Sequence, residues 1–187
     1  MNLRKALALA AVAATFNAGA YAQQTQQAPA TTAAPTAAQP EAFKDWSLYC
    51  PPPKAANEGP VCEIRTVVLS KEGKPLGALV VAAVPDEKTK QTQVIASALV
   101  PLGVDLMIEP AFKVDDGKQM PLRYLRCLQR GCEAMAPLPA EQQAAMRAGS
   151  KAKVAVGIGG GKNAVFDFSL SGFGAALDAV KKRSGVK

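Results

Sequence analysis

The 187-residue chain is 49% hydrophobic and 20% charged, carries a formal net charge of +7 and contains no histidine. Without imidazole there is no Ser-His-Asp or Cys-His nucleophilic system, no use of the commonest general base and no His-based metal site. The modest positive charge favours anionic surfaces such as lipid headgroups or acidic glycans, and the absence of a dense basic run with interleaved aromatics argues against nucleic acid.

Arg4 and Lys5 form a short positive region, Ala6 to Phe16 an apolar core, and Ala20-Tyr21-Ala22 a small-x-small pattern that a signal peptidase accepts. Residues 1–22 therefore read as a signal peptide cleaved before Gln23, which predicts a periplasmic or secreted protein. The apolar core is shorter than the roughly 20 residues of a membrane-spanning helix, and no cysteine precedes Cys50 to carry a lipid anchor. Removing Arg4 and Lys5 leaves 20 basic and 15 acidic groups, a charge of +5. Residues 23–42 are Gln, Thr, Ala and Pro with Glu41 as the only charge. Such a stretch cannot bury enough apolar surface to offset its ordering entropy and is expected to be a flexible linker. Residues 43–187 remain, about 145 in all, which suits one domain burying roughly two-thirds of its unfolded surface.

Asp45 to Cys50 reads as a short strand, Pro51-Pro52-Pro53 through Gly59-Pro60 as a turn-rich loop, and Val61 to Leu69 as the returning strand. Leu76 to Val84 and Thr92 to Val100 are apolar strands, followed by strands at Val104 to Ile108 and Ala111 to Val114 that Pro110 interrupts. Asp115-Asp116-Gly117 is a tight-turn signal across which Leu122 to Cys127 is expected to pair back, with Gly131 to Ala136 next. Pro139 to Ala148 looks helical, with Pro in the first turn and Gly149 after the end. Lys151 to Ile158 and Asn163 to Leu170 alternate as strands, with Val154, Val156, Phe166, Phe168 and Leu170 facing inward. Ser171 is placed to cap a last helix whose Phe173, Leu177 and Val180 fall on one stripe. In its last turn Lys181-Lys182-Arg183 complement the helix dipole. Many short strands at about ten-residue spacing indicate an all-β antiparallel sandwich or barrel with one or two short helices.

Four cysteines in an exported chain are expected to pair, and three connectivities are open. Trp46, Leu48 and Cys50 share one parity of a strand, and Cys62, Ile64, Thr66 and Val68 share one parity of the next. Both sets read as inward-facing, which favours Cys50–Cys62 with Cys127–Cys132. In the chain-entropy model the two closures contribute roughly 3 and 2 kcal/mol. Neither spacing is the Cys-x-x-Cys of a redox pair or of a zinc site.

Other chemistry is sparse, and no cofactor is expected. Ser150 and Lys153 match Ser-x-x-Lys but lack its companion motifs. Gly157 to Asn163 is glycine-rich, yet it has three residues between Gly157 and Gly161 and no Ser or Thr after Lys162, so it reads as a hairpin turn rather than a phosphate loop. Asp115 and Asp116 are turn residues. Glu109, Glu133 and Asp167 can meet only through the tertiary fold.

Asp45-Trp46 followed by Cys50, Val61-Cys62-Glu63-Ile64, Pro101-Leu102-Gly103-Val104, the Arg126-Cys127 to Gly131-Cys132 pair, and Leu170-Ser171-Gly172-Phe173 leading into Ala176-Leu177 occur in that order. The ordered set resembles the invasion-associated locus B family of exported bacterial proteins. The resemblance implies an immunoglobulin-like β-sandwich and an envelope location, and it carries over no catalytic residue. The long Gln/Pro/Ala stretch is outside the shared pattern.

The leading expectation is a non-enzymatic binding or structural protein of the envelope, its partner an envelope or host-surface protein, a glycan or an anionic lipid. The Cys50–Cys62 loop and the basic segment Arg123, Arg126 and Arg130 are the candidate binding surfaces. The alternatives are a chaperone-like factor using an exposed sheet edge near Leu79 to Val84, and a hydrolase built from carboxylates that meet in the fold.

Overall fold

The computed structural model describes residues 39–52, 61–86 and 92–184. The expected signal peptide, the cleavage point before Gln23, the linker up to residue 38 and most of the Cys50–Cys62 loop lie outside the described residues. In chain order the elements are β1 (Glu41–Phe43), β2 (Trp46–Tyr49), β3 (Glu63–Leu69), β4 (Pro75–Pro85), β5 (Thr92–Val100), β6 (Ala111–Val114), β7 (Met120–Pro121), β8 (Arg123–Leu128), β9 (Gly131–Pro137), α1 (Ala140–Ala148), β10 (Lys151–Gly157), β11 (Asn163–Ser169) and α2 (Phe173–Arg183). The strands form two antiparallel sheets, ordered β1-β2-β3-β4-β5-β9-β8 and β11-β10-β6-β7. β1 takes in Glu41 and Ala42, so ordered pairing starts two residues before Phe43.

Period-two alternation builds the core between the sheets. Leu79, Val81 and Ala83 of β4, Val94, Ala96, Ala98 and Val100 of β5, and Val154 and Val156 of β10 are buried together with Trp46, Ile64, Phe112 and Phe168. Disulfides join Cys50 to Cys62 and Cys127 to Cys132. The first links β2 to the approach of β3, and the second closes the β8–β9 hairpin, where Cys127 and Cys132 are register partners.

Three local expectations are corrected. Val104 to Ile108 is a turn, not a strand, because Asp105 folds the chain back on itself. Its carboxylate accepts the Met107 N–H at 3.0 Å and its carbonyl accepts the Ile108 N–H at 3.3 Å, an arrangement that competes with strand pairing. Leu122 to Cys127 does not pair back on Ala111 to Val114. Met120 and Pro121 take that pairing as β7, Leu122 buries its side chain, and β8 crosses to the other sheet, where the Cys127–Cys132 closure holds it against β9. Ser171 does not cap α2. Gly172 occupies the cap position at φ +91°, a conformation that glycine adopts without a Cβ penalty.

The two ends of the domain meet. The Trp46 indole N–H donates to the Ser169 carbonyl at 3.0 Å, and the ring packs edge-on to Phe173 with centroids 5.0 Å apart. The Ser169 hydroxyl donates to Asp45 at 2.6 Å, and the Asp45 N–H donates to the Ser171 carbonyl at 3.3 Å. Asp45-Trp46 and Leu170 to Phe173, far apart in sequence, thus form one contact. α2 lies over it with Phe173, Ala176, Leu177 and Val180 buried.

Candidate functional site

The four-stranded sheet and the helices cover one face of the larger sheet. The other face follows from the strand register, since cross-strand partners project to the same side. One row reads Val67, Ala78, Leu99, Glu133 and Arg126 across β3, β4, β5, β9 and β8. The next reads Arg65, Val80, Ser97, Met135 and Arg123, and the third Glu63, Ala82, Ile95 and Pro137. β4 contributes only Ala, Val and Ala to these rows, while Arg65 and Glu63 of β3 on one side and Leu99 and Ile95 of β5 on the other are longer. A depression along β4 results, a groove of about 500 Å³ whose lining runs from Ala78 to Val84 on its floor. At about 3.3 Å per residue, its length is roughly 20 Å.

Charged pairs fix the walls. On β3 the Arg65 guanidinium pairs with Glu63 at 2.7 Å and lies 5.1 Å from the centre of the Tyr49 ring. On the far side Arg126 pairs with Glu133 at 3.0 Å, and the other oxygen of Glu133 accepts the Ser97 hydroxyl at 2.9 Å. Arg126 reaches this face because β8 bulges between Tyr124 and Arg126. Tyr124 and Arg126 would otherwise share a side; the extra residue, Leu125, turns Arg126 outward. Arg130, in the turn between β8 and β9, also lines the groove.

The candidate arginines divide. Arg126 and Arg130 are brought together on the groove, whereas Arg123 extends to Glu109 at 3.6 Å and does not line it. Of the carboxylates, Glu109 faces Arg123, Glu133 faces Arg126, and Asp167 pairs with Lys151 at 3.3 Å. Glu63 and Glu133 share the groove, but β4 and β5 separate their strands, about 14 Å at the usual strand spacing. A glycosidase pair needs roughly 5–9.5 Å. Lys153 pairs with Asp116 rather than with Ser150, and Gly159, Gly160 and Gly161 all have positive φ in the β10–β11 hairpin turn. Among the described residues no group of three or more Cys, Asp or Glu side chains has metal-binding geometry.

The edge proposed near Leu79 to Val84 is not an edge. β4 is flanked by β3 and β5, so its backbone groups are already paired. What it exposes is a face, and sequence reading missed it. The signal was available: in Leu76-Gly77-Ala78-Leu79-Val80-Val81-Ala82-Ala83-Val84 both parities are apolar, whereas an antiparallel strand with a water-facing side alternates.

A family model described as invasion associated locus B (IalB) protein matches residues 46–181. Invasion protein B homologs of two Brucella abortus strains, 2308 and biovar 1 strain 9-941, are each 29% identical over 142 residues, covering 75% of this chain and 78% of the relative. The crystal structure of invasion associated protein B from Bartonella henselae superposes with a TM-score of 0.63 at 21% identity, over 76% of this chain and 95% of that one, and shares the fold. With the match running from Trp46 through most of α2, the chain belongs to the invasion associated locus B (IalB) family.

Proposed function

We propose that the chain is an exported, non-enzymatic binding protein of the cell envelope that holds an apolar partner in the groove along β4. The observation that carries this reading is the groove itself, an apolar floor of Ala78, Val80, Ala82 and Val84 that the described residues leave uncovered. Contiguous apolar surface on a folded chain marks a place where something else binds. Export is supported by the pattern in residues 1–22 and by two disulfides, which persist in oxidising compartments. The relatives' names associate them with invasion, and a partner met at the cell surface is the corresponding setting here.

The test uses a neutral apolar dye, N-phenylnaphthylamine, titrated onto the folded mature chain. Saturable fluorescence enhancement is expected, and Ala82→Phe, which fills the floor from the solvent side, should abolish it. Enhancement that persists unchanged in the variant removes the groove from the proposal.

A further inference from the structure

We infer that the groove takes a long-chain fatty acid, its carboxylate at the Arg126–Arg130 end and its alkyl chain along β4; this rests on the binding reading above. The floor has no unengaged hydrogen-bonding group, since the one hydroxyl on it, Ser97, is committed to Glu133. An extended peptide laid there would leave its amides unpaired against apolar side chains, which is costly. A glycan would find no aromatic platform, because Tyr49, the ring at the rim, is under Arg65. A second copy of the chain would set one concave face against another and enclose a void. An alkyl chain has no polar group to satisfy. One leaflet of a bilayer is about half of its roughly 30 Å hydrocarbon core, so a lipid-length chain fits within the groove's roughly 20 Å.

The charges are arranged for a single anionic head. Arg65 and Arg126 are each opposed by a carboxylate of their own wall, Glu63 and Glu133. Arg130 lines the same groove in the β8–β9 turn, next to the row that starts the floor at Ala78, and no ion pair opposes it among the described residues. Guanidinium groups bind carboxylates through two parallel hydrogen bonds, and of the three arginines lining the groove only Arg130 offers that fork without a carboxylate already opposing it among the described residues. The head and the chain are therefore assigned opposite ends of the groove, and the ligand one orientation.

The experiment displaces the bound dye from the full mature chain with palmitate or with methyl palmitate, which has the same chain without the charge. Palmitate is expected to displace the dye, and the methyl ester to do so about tenfold less well, as loss of one charge-assisted contact implies. Arg130→Ala should weaken palmitate by a similar factor, bringing acid and ester to near-equal displacement, with the thermal midpoint unchanged. A dye that binds, and is lost in Ala82→Phe, but is not displaced by palmitate overturns the fatty-acid assignment while the groove reading stands. Equal displacement by acid and ester from the wild-type chain, or an Arg130→Ala chain that binds palmitate normally, overturns the role of the carboxylate. A doubled mass in solution for the wild type but not for Ala82→Phe makes the occupant a second copy and overturns the inference as well.

Discussion

At Gly172 a Cβ would stand 2.0 Å from the Phe43 carbonyl oxygen, and the backbone is already in the left-handed region at φ +91°. Gly172→Ala combines a steric clash with an unfavourable conformation, so it should cost about 2–3 kcal/mol, read as a lowered denaturation midpoint. Asp115 works differently. It too has a positive φ, of 45°, and its two carboxylate oxygens accept the Ser150 and Lys151 N–H groups, each at 3.0 Å. The Ser150 hydrogen bond foremost, with that of Lys151 and the nearby Lys153 and Lys151 charges, holds its pKa below the ordinary carboxylate value. A carboxyl whose folded pKa is depressed contributes stability above its unfolded pKa, and that contribution is lost as pH falls through the lower, folded one. Wild-type stability should therefore drop more steeply than that of Asp115→Asn in acid denaturation below about pH 4. Parallel curves for the two proteins would refute this account.

At the scale of elements, β8 is re-aimed by its bulge and held by one short covalent closure. Replacing Cys127 and Cys132 together by Ser should lower stability by about 2 kcal/mol. Because β8 supplies Arg126 to one wall, the same variant should weaken dye binding; an unchanged titration would show that β9 alone maintains that wall. This part of the fold was poorly legible in the sequence. Arg123 and Arg126, three apart, fall on opposite sides of a regular strand, and nothing in Tyr124-Leu125-Arg126 signals the extra residue that reunites them. Val104 to Ile108 misled in a similar way: its apolar run looks like a strand, and one carboxylate, Asp105, decides otherwise. By contrast β5, β6, β10 and β11 were readable within a residue or two, because the alternation of Val, Ile and Phe with smaller or polar residues is itself the cause of their burial, and β4 was readable from its unbroken apolar run. The groove was not read, because a floor exists only once the register sets Ala78, Val80 and Ala82 between longer neighbours.

For the whole molecule, the export reading and the two disulfides make one joint prediction. Expressed with residues 1–22 in a host with a periplasm, the chain should be recovered there with Gln23 at its N-terminus and no titratable thiol, both read by intact mass before and after alkylation. Retention of the first 22 residues in the mature form would contradict the export reading. Surface ion pairs such as Lys113–Asp116 and Lys151–Asp167 are exposed and contribute little, so moderate salt should leave the unfolding midpoint nearly unchanged.

The Trp46–Phe173 contact also governs when this domain can form. Strand β2 finds its indole acceptor and its ring partner only at Ser169 and Phe173, the first of them 123 residues on. Contacts of such long sequence separation form late, because the loop between them must close first. Until α2 is free to pack, the chain lacks this contact and β2 has no ring partner for its indole. Stopping the chain after Leu170 should leave it protease-sensitive despite an intact β3–β4–β5 sequence, and a resistant core in that truncation would show that the sheet closes without waiting for its end.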